Sequence, residues 1–213
     1  MARTAGVAGV LMAGGLARRM GGGDKGLKRL GGESILARIC ARVAPQVDAL
    51  VLNANGDPGR FAALGLPVAA DVVADHPGPL AGVLTGMVWA AAAAPGCRYL
   101  ASFACDAPFV PRDLVARLLE AVRRDGADMA CAASMGRTHP VFALWPVALR
   151  EDLRRAMTAE GIRKVDHWTA RYTLATVEFA PLQSAGAAID PFFNANRPED
   201  LAEAEAHLAA FGD

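Results

Sequence analysis

The stretch 7-VAGVLMAGGLARRMGGGDKG-26 joins a short apolar run to a loop rich in glycine and positive charge. The run 7–12 has the length and composition of a buried strand. Glycines allow the main chain to approach a ligand closely and to turn its N–H groups toward an anion. Arg19 and Lys25 add fixed positive charge that suits a polyphosphate. The stretch therefore predicts a phosphate-binding loop directly after a buried strand; the alternative is a flexible surface loop.

Two common phosphate-binding motifs do not fit this loop. A dinucleotide-binding fingerprint needs the spacing G-x-G-x-x-G, whereas Gly14-Gly15 is followed by five residues that are not glycine. A P-loop needs Gly-Lys-Ser/Thr at the start of a helix, whereas Lys25 is followed by Gly26 and Leu27. The sequence therefore predicts a phosphate loop of a different kind.

The rest of the chain alternates short apolar runs with amphipathic stretches, which is typical of a parallel sheet covered by helices. We predict one α/β domain over residues 1–213, with three layers, a Rossmann-like arrangement and a mostly parallel sheet. The predicted strands are 7–12, 49–52, 67–70, 99–104, 129–133, 141–144 and 174–179. The predicted helices run from a cap at Ser34 to about 44, from 80 to 94, from 111 to 125 and from 198 to about 209. The pattern gives no helix bounds between 150 and 174.

Composition excludes several classes of protein. Lys+Arg and Asp+Glu both number 22, so the chain lacks the basic excess of most nucleic-acid-binding proteins, and no nucleic-acid partner is expected. The four cysteines lie far apart without metal-like spacing, which favours a reduced, cytoplasmic chain. The first apolar run is too short and too quickly followed by Gly and Arg for a signal peptide. The run 87–94 is too short to cross a bilayer, so no membrane association is expected.

Three polar residues stand at the ends of predicted strands. Asn53, Asp71 and Asp106 each stand where a strand ends, and the glycine loop follows the first strand. The carboxyl ends of parallel strands line the ligand crevice of such sheets. A carboxylate at Asp106 suits Mg²⁺, which prefers oxygen ligands and substrate phosphates. The alternative for all three is turn formation, a common use of Asp and Asn.

Two further groups of residues are candidates for ligand binding. Small residues from Gly78 to Gly82 stand at a predicted helix N-terminus, where unpaired N–H groups suit an anion or a closely fitted base. A plain helix start is the alternative. His139, Asn194 and Asn196 lie late in the chain, where a second substrate would have to be held. His139 could equally be a structural hydrogen-bonding group, and the asparagines could cap a helix.

The segment 13-AGGLARRMGGGDKGL-27, behind its apolar strand, resembles the signature of the nucleotidyltransferase superfamily, and most closely that of the molybdenum cofactor guanylyltransferases. Five further segments resemble this family in order and spacing: 51-VLNAN-55, 77-PGPLAG-82, 105-CDAP-108, His139-Pro140 and 194-NANRPEDL-201. The resemblance covers essentially the whole chain. It implies the nucleotidyltransferase fold, with a nucleotide half at about 1–110 and a pterin-binding half at about 111–213.

The resemblance also implies roles for individual residues. The implied nucleotide-binding residues are Leu11, Met12, Ala13, Gly14, Gly15, Lys25, Asn53, Asp71, Gly78, Gly82 and Asp106. Leu11, Met12 and Ala13 would contact the base through the main chain, so the Met that replaces a more usual Leu at position 12 does not disturb this contact. The implied catalytic residues are Arg19, Lys25 and Asp106, with Asp106 also the Mg²⁺ ligand. His139, Asn194 and Asn196 would bind the pterin.

The activity implied by the resemblance is transfer of GMP from GTP to the terminal phosphate of Mo-molybdopterin, with Mg²⁺ as cofactor and pyrophosphate as the second product. The segment 79-PLAG-82 resembles the guanylyl-transferring members, whereas cytidylyl-transferring relatives differ there and in the first glycine segment. Molybdenum-insertion proteins and molybdoenzyme chaperones are the protein partners implied.

Three alternative functions stay open on the sequence alone. A molybdopterin cytidylyltransferase would differ in its nucleotide. A sugar-1-phosphate nucleotidyltransferase shares the glycine loop, although such proteins usually carry extra length or hexapeptide repeats that this chain lacks. A non-catalytic nucleotide-binding module would have less need of both Lys25 and Asp106.

Overall fold

The computed structural model describes residues 3–13, 25–74, 78–184 and 187–211. The strands are β1 Val7–Met12, β2 Arg29–Leu30, β3 Glu33–Ser34, β4 Ala49–Asn53, β5 Val68–Ala69, β6 Tyr99–Ala104, β7 Met129–Ser134, β8 Arg137–Pro146, β9 Leu174–Glu178, β10 Leu182–Ser184 and β11 Ala187–Ile189. The α-helices are α1 Ile35–Val43, α2 Pro79–Ala93, α3 Leu114–Asp125, α4 Arg150–Thr158, α5 Val165–Thr169 and α6 Pro198–Phe211. Single turns of 3₁₀-helix cover Lys25–Leu27, Ala44–Gln46 and Val147–Leu149, and a longer 3₁₀ stretch covers Pro58–Leu64.

A seven-stranded sheet forms the centre, with the strand order β5-β4-β1-β6-β8-β7-β9. Strand β1 pairs in parallel with β4 and with β6, and β4 pairs in parallel with β5. Strand β8 runs antiparallel to both of its neighbours, so β7 and β9 again point the same way as β1. The carboxyl ends of every strand of this sheet except β8 therefore meet on one side, which we call the carboxyl edge. Strand β8 begins at that edge.

Helices cover both faces of the sheet, as three layers require. Side chains of α1, α3 and α6 pack on one face, and side chains of α2, α4 and α5 pack on the other. Side chains along β1 alternate between the two faces of the sheet. Val7 and Leu11 pack in the core under α1, α3 and α6, and Ala8 and Val10 pack in the core under α2, α4 and α5. The predicted fold class, an α/β sandwich with a mostly parallel sheet, is confirmed.

Helix α2 packs closely on the sheet because Gly82 and Gly86 face it without a side chain. A Cβ atom added at Gly86 would stand 2.7 Å from Cβ of Val10 and 2.8 Å from Cδ2 of Leu100. Both neighbours are fully buried in the sheet, so they have little room to move away. The close approach fixes the height of the α2 N-terminus over the carboxyl edge.

We expect Gly86→Ala to lower the free energy of unfolding by about 2 kcal/mol, because overpacking outweighs the gain in helix propensity. Urea denaturation would measure the change. Gly96→Ala is the matched control, since a Cβ there meets no atom within 4 Å. Equal stability of Gly86→Ala and the unsubstituted protein would contradict the close packing.

The structure corrects several predicted bounds. Helix α3 begins at Leu114 rather than at 111. Residues 111–114 form a separate turn instead, in which the Leu114 N–H donates to the carbonyl of Pro111. Strand β8 has ten residues, far more than the apolar run 141–144, because its polar first half pairs with β7 across the Met135-Gly136 turn. The hairpin of β10 and β11 was not predicted. The Ser34 cap is confirmed by its hydroxyl, which accepts from the Ala37 N–H at 3.1 Å.

Within the described ranges, no helix is long and apolar enough to cross a membrane. None of the four cysteines, all of which are described, forms a disulfide.

Candidate active site

The ends of β4 and β5 hold a small polar cluster of Asn53, Asn55 and Asp71. The Asn53 amide nitrogen donates to Asp71 Oδ1 at 2.9 Å and to the carbonyl of Ala69 at 3.2 Å. The Asn55 amide donates to Asp71 Oδ2 at 2.8 Å, and its oxygen accepts from the Asp71 main-chain N–H at 2.9 Å. Both carboxylate oxygens of Asp71 are thus held by amides. Sequence reasoning singled out Asn53 and Asp71 but gave no role to Asn55, which fixes Asp71 from the other side.

The N-terminus of α2 closes over this cluster. Gly78 is the N-cap and has φ +130° and ψ 171°, a backbone conformation that is essentially restricted to glycine. One turn later, a Cβ added at Gly82 would stand 2.7 Å from Asn53 Oδ1 and 2.7 Å from Met12 Sδ. Gly78 is therefore required for the backbone conformation at the start of α2. Gly82 allows the helix to approach Asn53 closely.

The end of β1 lies between the two halves of the carboxyl edge. Leu11 and Met12 pair with β4 on one side and with β6 on the other, and the Ala13 N–H donates to the Asn53 carbonyl at 2.8 Å. Gly14, Gly15 and Arg19 lie outside the described residues. Lys25 is the first residue of the 3₁₀ turn Lys25–Leu27.

Asp106 stands two residues beyond β6, at the middle of the carboxyl edge. It is half-buried, and its main-chain carbonyl accepts from the Ala195 N–H at 2.8 Å. A Cβ built at Gly26 would lie 3.5 Å from the carbonyl oxygen of Cys105, so the turn after the glycine loop runs beside Asp106. The structure therefore brings Asp106 together with Gly26, just after the predicted phosphate loop, and with the segment that carries Asn194 and Asn196.

The donor set around Asp106 fits a magnesium ion that is completed by substrate. Among the described residues no group of three or more His, Cys, Asp or Glu side chains could hold a metal by itself. Mg²⁺ commonly uses one or two carboxylates and takes its other ligands from substrate phosphates and water. The single carboxylate of Asp106, beside the end of the predicted phosphate loop, meets that requirement, and the magnesium site stays a prediction.

Beyond β6, four polar side chains form what we call the Asp190 network: Ser134, Arg137, His139 and Asp190. The Ser134 hydroxyl donates to Asp190 Oδ1 at 2.6 Å, and Arg137 Nη2 donates to Asp190 Oδ2 at 2.7 Å. His139 Nε2 lies 2.7 Å from the Ser134 oxygen, and its ring packs on Phe192 with centroids 4.6 Å apart. The network joins the turn between β7 and β8 to the segment that follows β11.

The protonation of the network follows from its geometry. Burial alone would raise the pKa of the Asp190 carboxyl, but hydrogen bonds from Ser134, Arg137 and the Phe192 N–H lower it below its usual value. Burial of the ring lowers the pKa of His139, despite the opposing charge of Asp190, so the imidazole is neutral at pH 7. Because Ser134 gives its single proton to Asp190, its oxygen accepts from His139 Nε2–H. Ser134 is fully buried, so a substrate cannot reach its hydroxyl.

The pterin candidates differ in their surroundings. Asn194 is exposed and Asn196 is half-buried, on either side of the buried Ala195. His139 has a side chain only 9% exposed, so most of its surface is occupied by protein. The pterin roles of these three residues stay predictions. Sequence reasoning missed Ser134, Arg137 and Asp190, because no spacing relates residues that lie 56 and 53 positions apart.

Comparison with known proteins gives results that agree with each other. The family model described as MobA-like NTP transferase domain matches residues 9–173. The chain is 59% identical to a molybdenum cofactor guanylyltransferase of Rhodopseudomonas palustris (strain BisB5), over 92% of this chain and 91% of that protein. It is 56% identical to a protein of the same name from Bradyrhizobium sp. (strain ORS 278), over 99% and 96% of the two chains. Molybdopterin-guanine dinucleotide biosynthesis protein A from Archaeoglobus fulgidus superposes with a TM-score of 0.68 at 21% identity, covering 93% and 96%.

Proposed function

We propose that this chain, which belongs to the molybdenum cofactor guanylyltransferases and carries their MobA-like NTP transferase domain, transfers GMP from GTP to the terminal phosphate of Mo-molybdopterin. The chain is a nucleotidyltransferase of molybdenum cofactor biosynthesis. The observation that carries the proposal for this site is the position of Asp106. It lies between the nucleotide cluster of Asn53 and Asp71 and the segment of Asn194 and Asn196, to which its own main chain is bonded.

In the proposed reaction, a terminal phosphate oxygen of molybdopterin attacks the α-phosphorus of GTP in line. The bond from that phosphorus to the bridging oxygen of the β-phosphate breaks, and pyrophosphate leaves with the electron pair. The attacking group is already an anion, so no Ser, Cys or His nucleophile and no general base is required. Catalysis then consists of positioning and charge neutralisation, as in phosphoryl transfer generally.

Different residues bind the nucleotide, neutralise charge and bind the pterin. Asn53 and Asp71, fixed by Asn55 and by the close approach of Gly82, hold the nucleotide at one end of the carboxyl edge. Arg19 and Lys25 offset the charge of the departing pyrophosphate. Asp106 would hold Mg²⁺, which supplies charge neutralisation for the phosphates when bound. Asn194 and Asn196 hold the pterin in the half 111–213.

The choice of GTP instead of CTP rests on two observations. The relatives are named guanylyltransferases, and the segment 79-PLAG-82 forms the start of α2, next to the polar cluster of Asn53, Asn55 and Asp71. The cytidylyl and sugar-1-phosphate alternatives are not favoured by the comparisons, in which relatives 50–59% identical carry the guanylyltransferase name. Molybdenum-insertion proteins and molybdoenzyme chaperones complete the proposal as protein partners.

The proposal is tested by pyrophosphate release from the purified protein given Mg²⁺ and Mo-molybdopterin, with GTP and CTP in parallel reactions. We expect release with GTP and little with CTP. Omission of Mo-molybdopterin is the control, because simple hydrolysis of GTP would persist without it. Release with CTP alone would contradict the nucleotide assignment, and binding of GTP without any release would favour a non-catalytic module.

A further inference from the structure

We propose that Asp190 is a positioning residue that holds the segment 190–196 in place for the second substrate. The inference rests on the proposed function, since it assigns that segment to the pterin side of the same site. Asp190 lies one residue after β11, outside every segment that sequence reasoning had singled out. Three independent features of its surroundings lead to this role.

The first feature is the number of elements that Asp190 connects. Its Oδ1 accepts from the Ser134 hydroxyl and from the Phe192 N–H at 2.8 Å, and its Oδ2 accepts from Arg137. Its main-chain carbonyl also accepts from the Phe193 N–H at 2.9 Å. One carboxylate therefore fixes both the turn of its own segment and the end of the β7–β8 hairpin, a buried charge with every oxygen engaged.

The second feature is the way in which the rest of the segment is held. Phe192 is fully buried against His139, Phe142 and Phe179, with ring centroids between 4.6 and 5.5 Å apart. Asp200 Oδ2 accepts from the main-chain N–H groups of Asn196 and Arg197 at 2.7 and 2.8 Å. The segment is thus anchored at its beginning by Asp190 and at its end by Asp200.

The third feature is the link from this segment to the catalytic carboxylate. Between the two anchors, the Ala195 N–H donates to the Asp106 carbonyl at 2.8 Å, while the Asn194 side chain on one side of it is exposed. Loss of the first anchor would let Asn194 shift relative to Asp106. A displacement of about 1 Å at a reacting site can cost up to about 100-fold in rate or binding.

The nucleotide cluster lies far from this anchor. Strands β4 and β7 are separated by four strand intervals in the sheet. At about 4.8 Å for each interval, the end of β4 and the end of β7 are roughly 19 Å apart. A change at Asp190 should therefore weaken binding of the second substrate. The proposed nucleotide contacts of Asn53 and Asp71 should stay in place.

The experiment measures KM for Mo-molybdopterin and for GTP, by pyrophosphate release, in Asp190→Ala and Asp190→Asn. We expect KM for Mo-molybdopterin to rise about tenfold or more in Asp190→Ala, with KM for GTP within about twofold. Asp190→Asn should show a smaller rise, because its oxygen can still accept from Ser134 and Phe192 while the ion pair with Arg137 is lost. If Asp190→Ala is not recovered folded, Arg137→Gln provides the same test, since the Arg137 side chain is 65% exposed.

Asp128→Ala is the matched control. Asp128 accepts from the Thr173 N–H and hydroxyl and so fastens β7 to β9 at the opposite edge of the sheet. Its loss should lower the melting temperature without changing either KM. A purely structural role for Asp190 would give the same pattern and would overturn the inference, as would equal rises of both KM values. An unsubstituted protein that releases no pyrophosphate would overturn the proposed function and the inference together.

Discussion

Replacement of Asp106 by alanine is expected to lower kcat for pyrophosphate release by about 100- to 1,000-fold, since electrostatic groups aimed at developing charge typically contribute that much. Asp106 stands at the middle of the carboxyl edge, beside the end of the predicted phosphate loop and the 194–196 segment. Its loss removes the oxygen ligand on which Mg²⁺ and the phosphates would be assembled. Initial rates at saturating GTP and Mo-molybdopterin, in the presence of Mg²⁺, would measure the effect.

The fold should survive this substitution. The bond from Ala195 uses the main-chain carbonyl of Asp106, so alanine retains it. Asp113→Ala is a suitable control, because this carboxylate is near in sequence, 48% exposed and paired only loosely with Arg117 at 4.0 Å. An Asp106→Ala protein with normal melting temperature and nearly full turnover would contradict the mechanism. A loss of kcat in both variants would point to a general effect of lost negative charge.

The positions of the nucleotide-side candidates at the carboxyl edge could be predicted from the sequence because the signals are local, whereas their roles stay predictions. Asn53 is the last residue of β4 and Asp106 lies two residues beyond β6, and the rule that parallel strands end at one edge is enough to place both there. The contact of Asn53 with Asp71, at 2.9 Å, follows from the same rule. The residues of the phosphate loop from Gly14 to Asp24 lie outside the described ranges, so its predicted roles stay predictions.

The Asp190 network could not be predicted from the sequence because its contacts are non-local. Ser134 and Asp190 are 56 positions apart, and only the pairing of β7 with β8 and the return of the chain after β11 bring them together. The polar start of β8 also hides the strand from sequence analysis, since Arg137 and His139 are polar residues that bond to Asp190 and Ser134. Hydrophobic periodicity cannot detect a strand whose buried partners are polar.

Gly82→Ala is expected to raise KM for GTP about tenfold or more, while kcat at saturating GTP changes much less. The added Cβ would meet Asn53 Oδ1 and Met12 Sδ, both at 2.7 Å. The Met12 thioether is flexible and can move aside. Asn53 cannot move freely, because its amide is bonded to Asp71 and to the Ala69 carbonyl and it is only 3% exposed. The substitution therefore either displaces Asn53 from Asp71 or moves the N-terminus of α2 away from the polar cluster of Asn53, Asn55 and Asp71.

Gly86→Ala separates this effect from simple overpacking. It lies one turn further along α2 and creates an equally short contact, but against Val10 and Leu100 of the core instead of Asn53, the proposed nucleotide-binding residue. Both variants should lose stability, and only Gly82→Ala should lose affinity for GTP. Steady-state KM, together with isothermal titration of GTP in the absence of Mo-molybdopterin, would distinguish them. Equal KM values in the two variants would mean that Gly82 serves helix packing alone and that the nucleotide lies elsewhere along the carboxyl edge.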